Sequence, residues 1–153
     1  MSSRPHIRIE MQSNPQYLAG ARELISGVCR RIGFTEMCTS QIALAVDEAL
    51  CNVMRHGYDK QTDRPIWVSL WPDTHAGKPE ITIVIEDEAR HVDPCQIKGR
   101  DLDDVKPGGL GVHIIREVMD RAEYEKRPGR GMKLTMVKKQ PDHDKPGGEC
   151  NCS

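Results

Sequence analysis

Hydrophobic residues follow two different periods along this chain, and the order of those periods restricts its fold. Apolar side chains recur every three to four residues in three stretches, which predicts amphipathic helices: 18–28, 42–53 and 112–119. Polar and apolar residues alternate in 5–11, which predicts a strand, and four further runs are also typical of strands: 66–71, 80–87, 122–125 and 132–137. The resulting order is one strand, two helices, two strands, one helix and two strands. It predicts an α+β fold, a two-layer α/β sandwich with helices packed on one face of a mixed, mainly antiparallel sheet.

Helix ends and links are marked by residues with defined backbone preferences. Asn14 before Pro15 predicts a helix start, and Thr35 predicts the cap of a second, longer helix that stops at residues 56–58. Gly33 predicts the end of the first helix. Residues 72–79 are rich in turn formers and predict the link of a hairpin. Residues 88–107 have no periodicity, and a loop of that length inside a compact domain is typically a functional lid or disordered.

The composition excludes several classes of protein. The chain has 153 residues and a net charge of −1, so it lacks the basic excess of a general nucleic-acid-binding protein. No apolar run approaches the roughly 18 residues of a membrane span. The six cysteines are interpreted as thiols of a cytoplasmic protein, since no export signal precedes them. The polar residues 140–153, rich in proline and glycine, predict a disordered tail.

Three groups of residues are candidates for chemistry, and each also has an ordinary structural interpretation. Glu48 and Asn52 lie four residues apart on one helix face. This spacing suits a base beside a Mg²⁺ ligand, and it is equally typical of a solvated helix edge. Asp87 ends an apolar strand, where it can bind a ligand amino group or cap a turn. The glycine-rich residues 108–111 open a helix, where free N–H groups suit phosphate, although a flexible hinge has the same composition.

The order of these three groups resembles a known family. Residues 45–58 (AVDEALCNVMRHGY) resemble the N-box of Bergerat-type ATP-binding domains, most closely that of bacterial anti-sigma factor serine/threonine kinases. Residues 85–94 (IEDEARHVDP) resemble the adenine-binding box of that branch, and residues 108–115 (GGLGVHII) resemble its glycine-rich phosphate box. The resemblance implies the Bergerat fold, and residues 1–139 are interpreted as a histidine-kinase-like ATPase domain.

The resemblance also implies a role for each matching position. Glu48 would be the general base that accepts the proton of a substrate serine, Asn52 would hold Mg²⁺ against the phosphates of ATP, and Asp87 would accept the adenine amino group. Arg55 matches a position of phosphate contact, with an exposed surface charge as the alternative. Residues 95–107 would form the ATP lid. The backbone that would face the phosphates is that of Gly108, Gly109, Leu110, Gly111 and Val112.

Two positions depart from the pattern of the family, and both concern the nucleotide. The adenine box normally reads Asp-x-Gly, but this chain has Ala89, whose methyl group would interfere if the position required a positive φ or a close approach of the backbone. Met132 stands where a threonine usually supports the adenine site, and its side chain cannot make that hydrogen bond. Both changes predict weaker binding of ATP.

The resemblance therefore implies a regulatory serine/threonine protein kinase that uses ATP and Mg²⁺ in a partner-switching system. Its implied partners are a small anti-anti-sigma-type antagonist protein, which would receive the phosphate, and a sigma factor. Pairing as a homodimer is also implied, and neither a nucleic acid nor a membrane is expected as a direct partner. The alternative is a partner-capture module of the same fold that binds nucleotide weakly and does not catalyse transfer.

Overall fold

The computed structural model describes residues 4–90 and 109–142, which form five strands and three α-helices. The strands are β1 (Ile7–Gln12), β2 (Pro65–His75), β3 (Lys78–Asp87), β4 (Arg121–Lys126) and β5 (Met132–Lys139). The helices are α1 (Leu18–Ile32), α2 (Glu36–Asn52) and α3 (Gly109–Val118). The predicted lid at 95–107 and most of the predicted tail lie outside the described residues.

The strands form one sheet in the order β1-β2-β3-β5-β4. All four pairings are antiparallel, so the predicted sandwich is confirmed with a sheet that is wholly antiparallel among the described strands rather than mixed. Neighbouring strands place Leu70, Ile83 and Met136 side by side on one face. These three side chains are at most 1% exposed and belong to the core formed with the helices.

The predicted helix signals act as expected. The Asn14 side chain accepts a hydrogen bond from the Gln16 N–H, although the first turn, Pro15–Tyr17, is a 3₁₀ turn. Gly33 ends α1 in a left-handed conformation with φ of 108°, and the Thr35 hydroxyl caps α2 by accepting from the Cys38 N–H. Local sequence chemistry therefore sets the end of α1 and the start of α2, whereas α1 itself begins only at Leu18, after the 3₁₀ turn.

The hairpin of β2 and β3 is longer than predicted, because only two residues form its turn. Ala76 and Gly77 have φ of 52° and 79°, as a type I′ turn requires, and pairing continues to His75 and Lys78. Pro72 is tolerated within β2 because the pairing of β2 with β1 ends at Leu70. Turn-forming composition alone therefore overestimated the length of the link.

The helices cover one face of the sheet, and α3 packs against α2. Ile25 of α1, Ile42 of α2 and Ile115 of α3 are each fully buried against the sheet core. Each such side chain contributes about 1.5–3 kcal/mol through burial. No helix within the described ranges has the length and apolar character required to cross a membrane.

Candidate functional site

The carboxylate of Asp87 lies at one end of the sheet and is held by two backbone donors. Its Oδ1 atom accepts hydrogen bonds from the Ala89 N–H at 2.9 Å and from the Met132 N–H at 3.1 Å. Asp87 ends β3 and Met132 begins the neighbouring strand β5, so the two strands bring these groups together. Because Asp87 is 5% exposed, its orientation is fixed by the fold rather than by solvent.

The backbone after Asp87 is fixed by Tyr58. The Tyr58 hydroxyl accepts a hydrogen bond from the Glu88 N–H at 2.7 Å and donates one to the Pro65 carbonyl at 2.6 Å. It therefore connects the end of β3 to the start of β2 through the segment that follows α2. Burial raises the pKa of this phenol, so the hydroxyl keeps its proton and remains a donor.

Arg127 and Gly131 bring the β4–β5 turn against the same strand end. The Arg127 guanidinium donates to the Asp87 carbonyl and lies 5.0 Å from the centroid of the Trp67 ring. Gly131 has φ of 103°, and a Cβ built on it would lie 1.8 Å from the Asp87 carbonyl oxygen. Only glycine allows this approach, because any side chain would collide with the strand backbone.

Glu48 and Asn52 lie on one face of α2, as predicted. Four residues of helix separate them by about 6 Å along the axis. The neighbouring acid, Asp47, is paired with Arg22 of α1 at 3.0 Å. Within the described residues Glu48 has no hydrogen bond or ion pair, and it is partly exposed, so its carboxylate can accept a proton from a ligand.

Asn52 has a buried amide nitrogen with no hydrogen-bond partner in the part of the chain that is described. A buried amide without a partner costs free energy unless a ligand engages that side chain. Its other end is a carbonyl oxygen, a ligand type that Mg²⁺ prefers, and Mg²⁺ commonly takes one or two protein ligands together with substrate phosphates. The side chain therefore fits the predicted metal–phosphate role, although no cluster of three or more acidic, histidine or cysteine ligands occurs within the described ranges.

Immediately after Asn52 the helix widens into a π-helical turn, Val53–Gly57, which the helical periodicity did not predict. The Tyr58 N–H bonds to the Val53 carbonyl, five residues back, so each residue turns the chain less than in an α-helix. His56 lies within this turn. It is exposed, and so is Arg55, which is the placement expected of a surface charge as well as of a phosphate contact.

The two departures from the family pattern have a local explanation. Ala89 is 4% exposed and is absent from the described residues with positive φ, so its backbone does not require glycine. Met132 is 8% exposed, and its backbone N–H rather than its side chain contacts Asp87. A positive φ is therefore not required at residue 89. The need for a close approach there, and the effect of both residues on ATP affinity, stay predictions.

The glycine-rich segment is described only in part. Gly108 lies outside the described residues, and Gly109, Leu110 and Gly111 belong to the first turn of α3. Val112 follows and is 7% exposed. The predicted helix start is thus placed within one residue, and its role toward phosphates stays a prediction.

Sequence reasoning did not identify Tyr58 and Arg127 as parts of this site. Their contacts join positions 30 and 40 residues apart, and the hydrophobic periodicity of a single helix or strand cannot indicate such contacts. Gly131 carried a signal, since it follows Pro128 and Gly129 in a short link between two predicted strands. That signal indicated a turn but not its contact with Asp87.

Several known proteins are similar to this chain. The model of the histidine kinase-like ATPase domain family matches residues 11–138. A serine-protein kinase RsbW of Halalkalibacterium halodurans is 24% identical over 146 residues, covering 90% of this chain and 86% of its own. That of Bacillus subtilis is 26% identical over 152 residues, covering 91% of each chain. The histidine kinase domain of the Erythrobacter litoralis EL346 blue-light activated histidine kinase matches with a TM-score of 0.46 at 17% identity, covering 81% of this chain and 59% of that one.

Proposed function

This chain belongs to the histidine kinase-like ATPase domain family, and we propose that it is a serine/threonine protein kinase of the anti-sigma-factor type. It transfers the γ-phosphoryl group of ATP to a hydroxyl of a small antagonist protein. The relatives named serine-protein kinase RsbW support this class of activity. Glu48 is the proposed catalytic residue, and the nucleotide site is formed by Asn52, Asp87 and the start of α3.

The observation that carries the proposal is the fixed carboxylate of Asp87, whose strand end is hydrogen-bonded through Glu88 to Tyr58, just after the helix that bears Glu48 and Asn52. Two backbone N–H groups orient this carboxylate, and Tyr58 and Arg127 hold the strand end around it. A carboxylate in a defined position accepts a hydrogen bond from an exocyclic amino group, which adenine has and guanine lacks at that ring position. The site is therefore suited to ATP rather than GTP.

The proposed chemistry needs little from the protein besides position, charge and one base. The serine oxygen of the substrate forms a bond to the γ-phosphorus, the bond to the β-phosphate oxygen breaks, and ADP leaves. Glu48 accepts the hydroxyl proton, and it has no competing ion pair among the described residues. Mg²⁺, held with the help of Asn52, would neutralise charge on the phosphates.

The direct test incubates the chain and a candidate antagonist with γ-labelled ATP and Mg²⁺. We expect label on a serine or threonine of the antagonist, and we expect Glu48→Gln to remove transfer while ATP still binds. Asp47→Asn is the matched control, since Asp47 is paired with Arg22, and it should keep most of the activity. ATP binding without transfer in the unaltered chain would instead favour the partner-capture module.

We further propose that two copies pair through the sheet face that points away from the helices. Across this face one row runs from Arg8 through Ser69, Val84 and Thr135 to Glu123, so its centre is uncharged and its two ends carry opposite charges. Two such faces related by a two-fold axis along the strands would bring basic ends against acidic ends.

Sedimentation of the chain tests the pairing. Thr135→Arg would place a charge within the uncharged part of the row and should convert a dimer to a monomer that keeps the secondary structure of the unaltered chain. Leu24→Arg, on the exposed side of α1, is the control and should leave the dimer intact. A monomeric unaltered chain would contradict the pairing but not the kinase activity.

The compartment we propose is the cytoplasm, where the three described cysteines would remain the free thiols that they are in the structure.

A further inference from the structure

Gly57 and Ala89 lie next to each other, where the π-helical turn after α2 approaches the segment that follows β3. A Cβ built on Gly57 would lie 3.2 Å from the Cβ of Ala89, closer than ordinary van der Waals contact, and 3.8 Å from Cγ1 of Val53. The φ of Gly57 lies outside the left-handed region, so alanine could adopt its backbone conformation. What this position requires is therefore the absence of a side chain, because the methyl group of Ala89 occupies the adjoining space.

Each partner in this contact is directly connected to a residue of the nucleotide site. Gly57 ends the π-helical turn that begins immediately after Asn52. The Ala89 N–H donates to the Asp87 carboxylate at 2.9 Å, so moving Ala89 moves one of the two donors that orient that carboxylate. The neighbouring hydrogen bond from the Glu88 N–H to the Tyr58 hydroxyl keeps the same two segments aligned.

We propose that Gly57 and Ala89 are a size-matched pair of positioning residues that sets the place of the Asp87 carboxylate relative to Asn52. One methyl group fits between the two segments, and it is supplied by residue 89 rather than by residue 57. A second methyl group displaces Ala89 by a few tenths of an ångström and misaligns the Ala89 N–H with the carboxylate. This misalignment weakens recognition of the adenine amino group by the Asp87 carboxylate. The inference therefore rests on the proposed binding of ATP.

The test is a double-mutant cycle of Gly57→Ala and Ala89→Gly, with ATP and GTP affinities measured by calorimetry in the presence of Mg²⁺. Gly57→Ala should weaken ATP binding by about tenfold, as expected for one misaligned charge-assisted hydrogen bond, and should change GTP binding much less. The double variant restores a single methyl group at the contact and should recover ATP affinity to within about threefold of the unaltered chain. Gly27→Ala is the matched control, because a Cβ built at Gly27 meets nothing within 4 Å, and it should leave both affinities unchanged.

The possible results separate this inference from the proposed function. An unaltered chain that binds no ATP refutes the nucleotide site itself and the positioning role with it. Normal ATP affinity in Gly57→Ala, or equal losses for ATP and GTP, refutes the positioning role alone. If Gly57→Ala does not fold, the double variant tests the size match instead. Recovery of both folding and ATP affinity in the double variant supports the size match. Failure to recover folding or ATP affinity overturns it.

Discussion

Replacing Asp87 by alanine tests whether this carboxylate organises the end of the sheet as well as a ligand. The substitution leaves the buried N–H groups of Ala89 and Met132 without their acceptor. Each buried donor left without a partner costs about 1–3 kcal/mol, so the pair predicts a loss of about 2–6 kcal/mol of unfolding free energy. For a chain of this length each kcal/mol corresponds to roughly 2–4 °C, so the unfolding temperature should fall by about 4–24 °C.

Asp87→Asn separates the structural role from the recognition role. The asparagine oxygen can accept both backbone hydrogen bonds, although neutral acceptors are roughly half as strong, so the unfolding temperature should fall by about 5 °C or less. Its amide nitrogen is a donor and would meet the donor of an adenine amino group. ATP affinity should therefore fall at least about tenfold in a variant that keeps most of its stability.

Asp120→Ala is the matched control for both variants. Asp120 also accepts a backbone hydrogen bond from β5, through the Lys139 N–H at 2.7 Å, but this contact is exposed and water can replace its carboxylate. Thermal unfolding followed by circular dichroism should show a change of no more than about 2 °C for this variant. An Asp87→Ala protein as stable as the Asp120→Ala protein would refute the free-energy cost assigned to the two buried N–H groups that lose their acceptor.

Three further predictions concern the surroundings of the site. Gly131→Ala should destabilise the fold and lower ATP affinity, because its Cβ would collide with the Asp87 carbonyl at a φ that alanine rarely adopts; thermal unfolding within 1 °C of the unaltered chain would contradict this. Tyr58→Phe should cost about 1–3 kcal/mol in urea unfolding, since it removes two part-buried hydrogen bonds, from the Glu88 N–H and to the Pro65 carbonyl, at about 0.5–1.5 kcal/mol each, and an unchanged midpoint would count against it. Burial raises the pKa of Cys29 from 9.0 to about 12, so its stabilising effect is complete below pH 9 and is lost as the pH rises toward 12. The unfolding temperature should therefore decline above pH 9 less steeply in Cys29→Ala than in the unaltered chain, and equal slopes would contradict the assignment.

The local parts of the fold could be predicted from the sequence because single residues determine them. Asn14, Gly33 and Thr35 act within a few residues of their own positions, and the structure confirms each. The π-helical turn after Asn52 could not be predicted, since its residues fit an α-helical period equally well. It is stabilised by tertiary contacts of Tyr58 with two strands, and the spacing of apolar residues along the helix does not indicate these contacts.

The candidate site divides in the same way between local and distant contacts. Glu48 and Asn52 share a helix face as a direct result of their spacing, so their proximity could be predicted. The hydrogen bond between Asp87 and Met132 spans 45 residues and depends on the register of β3 with β5. A one-residue change in that register would turn the Asp87 side chain to the opposite face of the sheet, and no local pattern specifies the register that closely.

The two departures from the family pattern concern residues whose described contacts with Asp87 are made by the backbone. Ala89 and Met132 both donate through N–H groups, which any residue other than proline supplies, so substitution at either position leaves these two hydrogen bonds available. What substitution at 89 does change is volume, and the space for the added methyl group comes from Gly57. Tolerance at one position is therefore conditional on the other, and a chain with alanine at both should bind ATP less tightly than a chain with alanine at either one and glycine at the other.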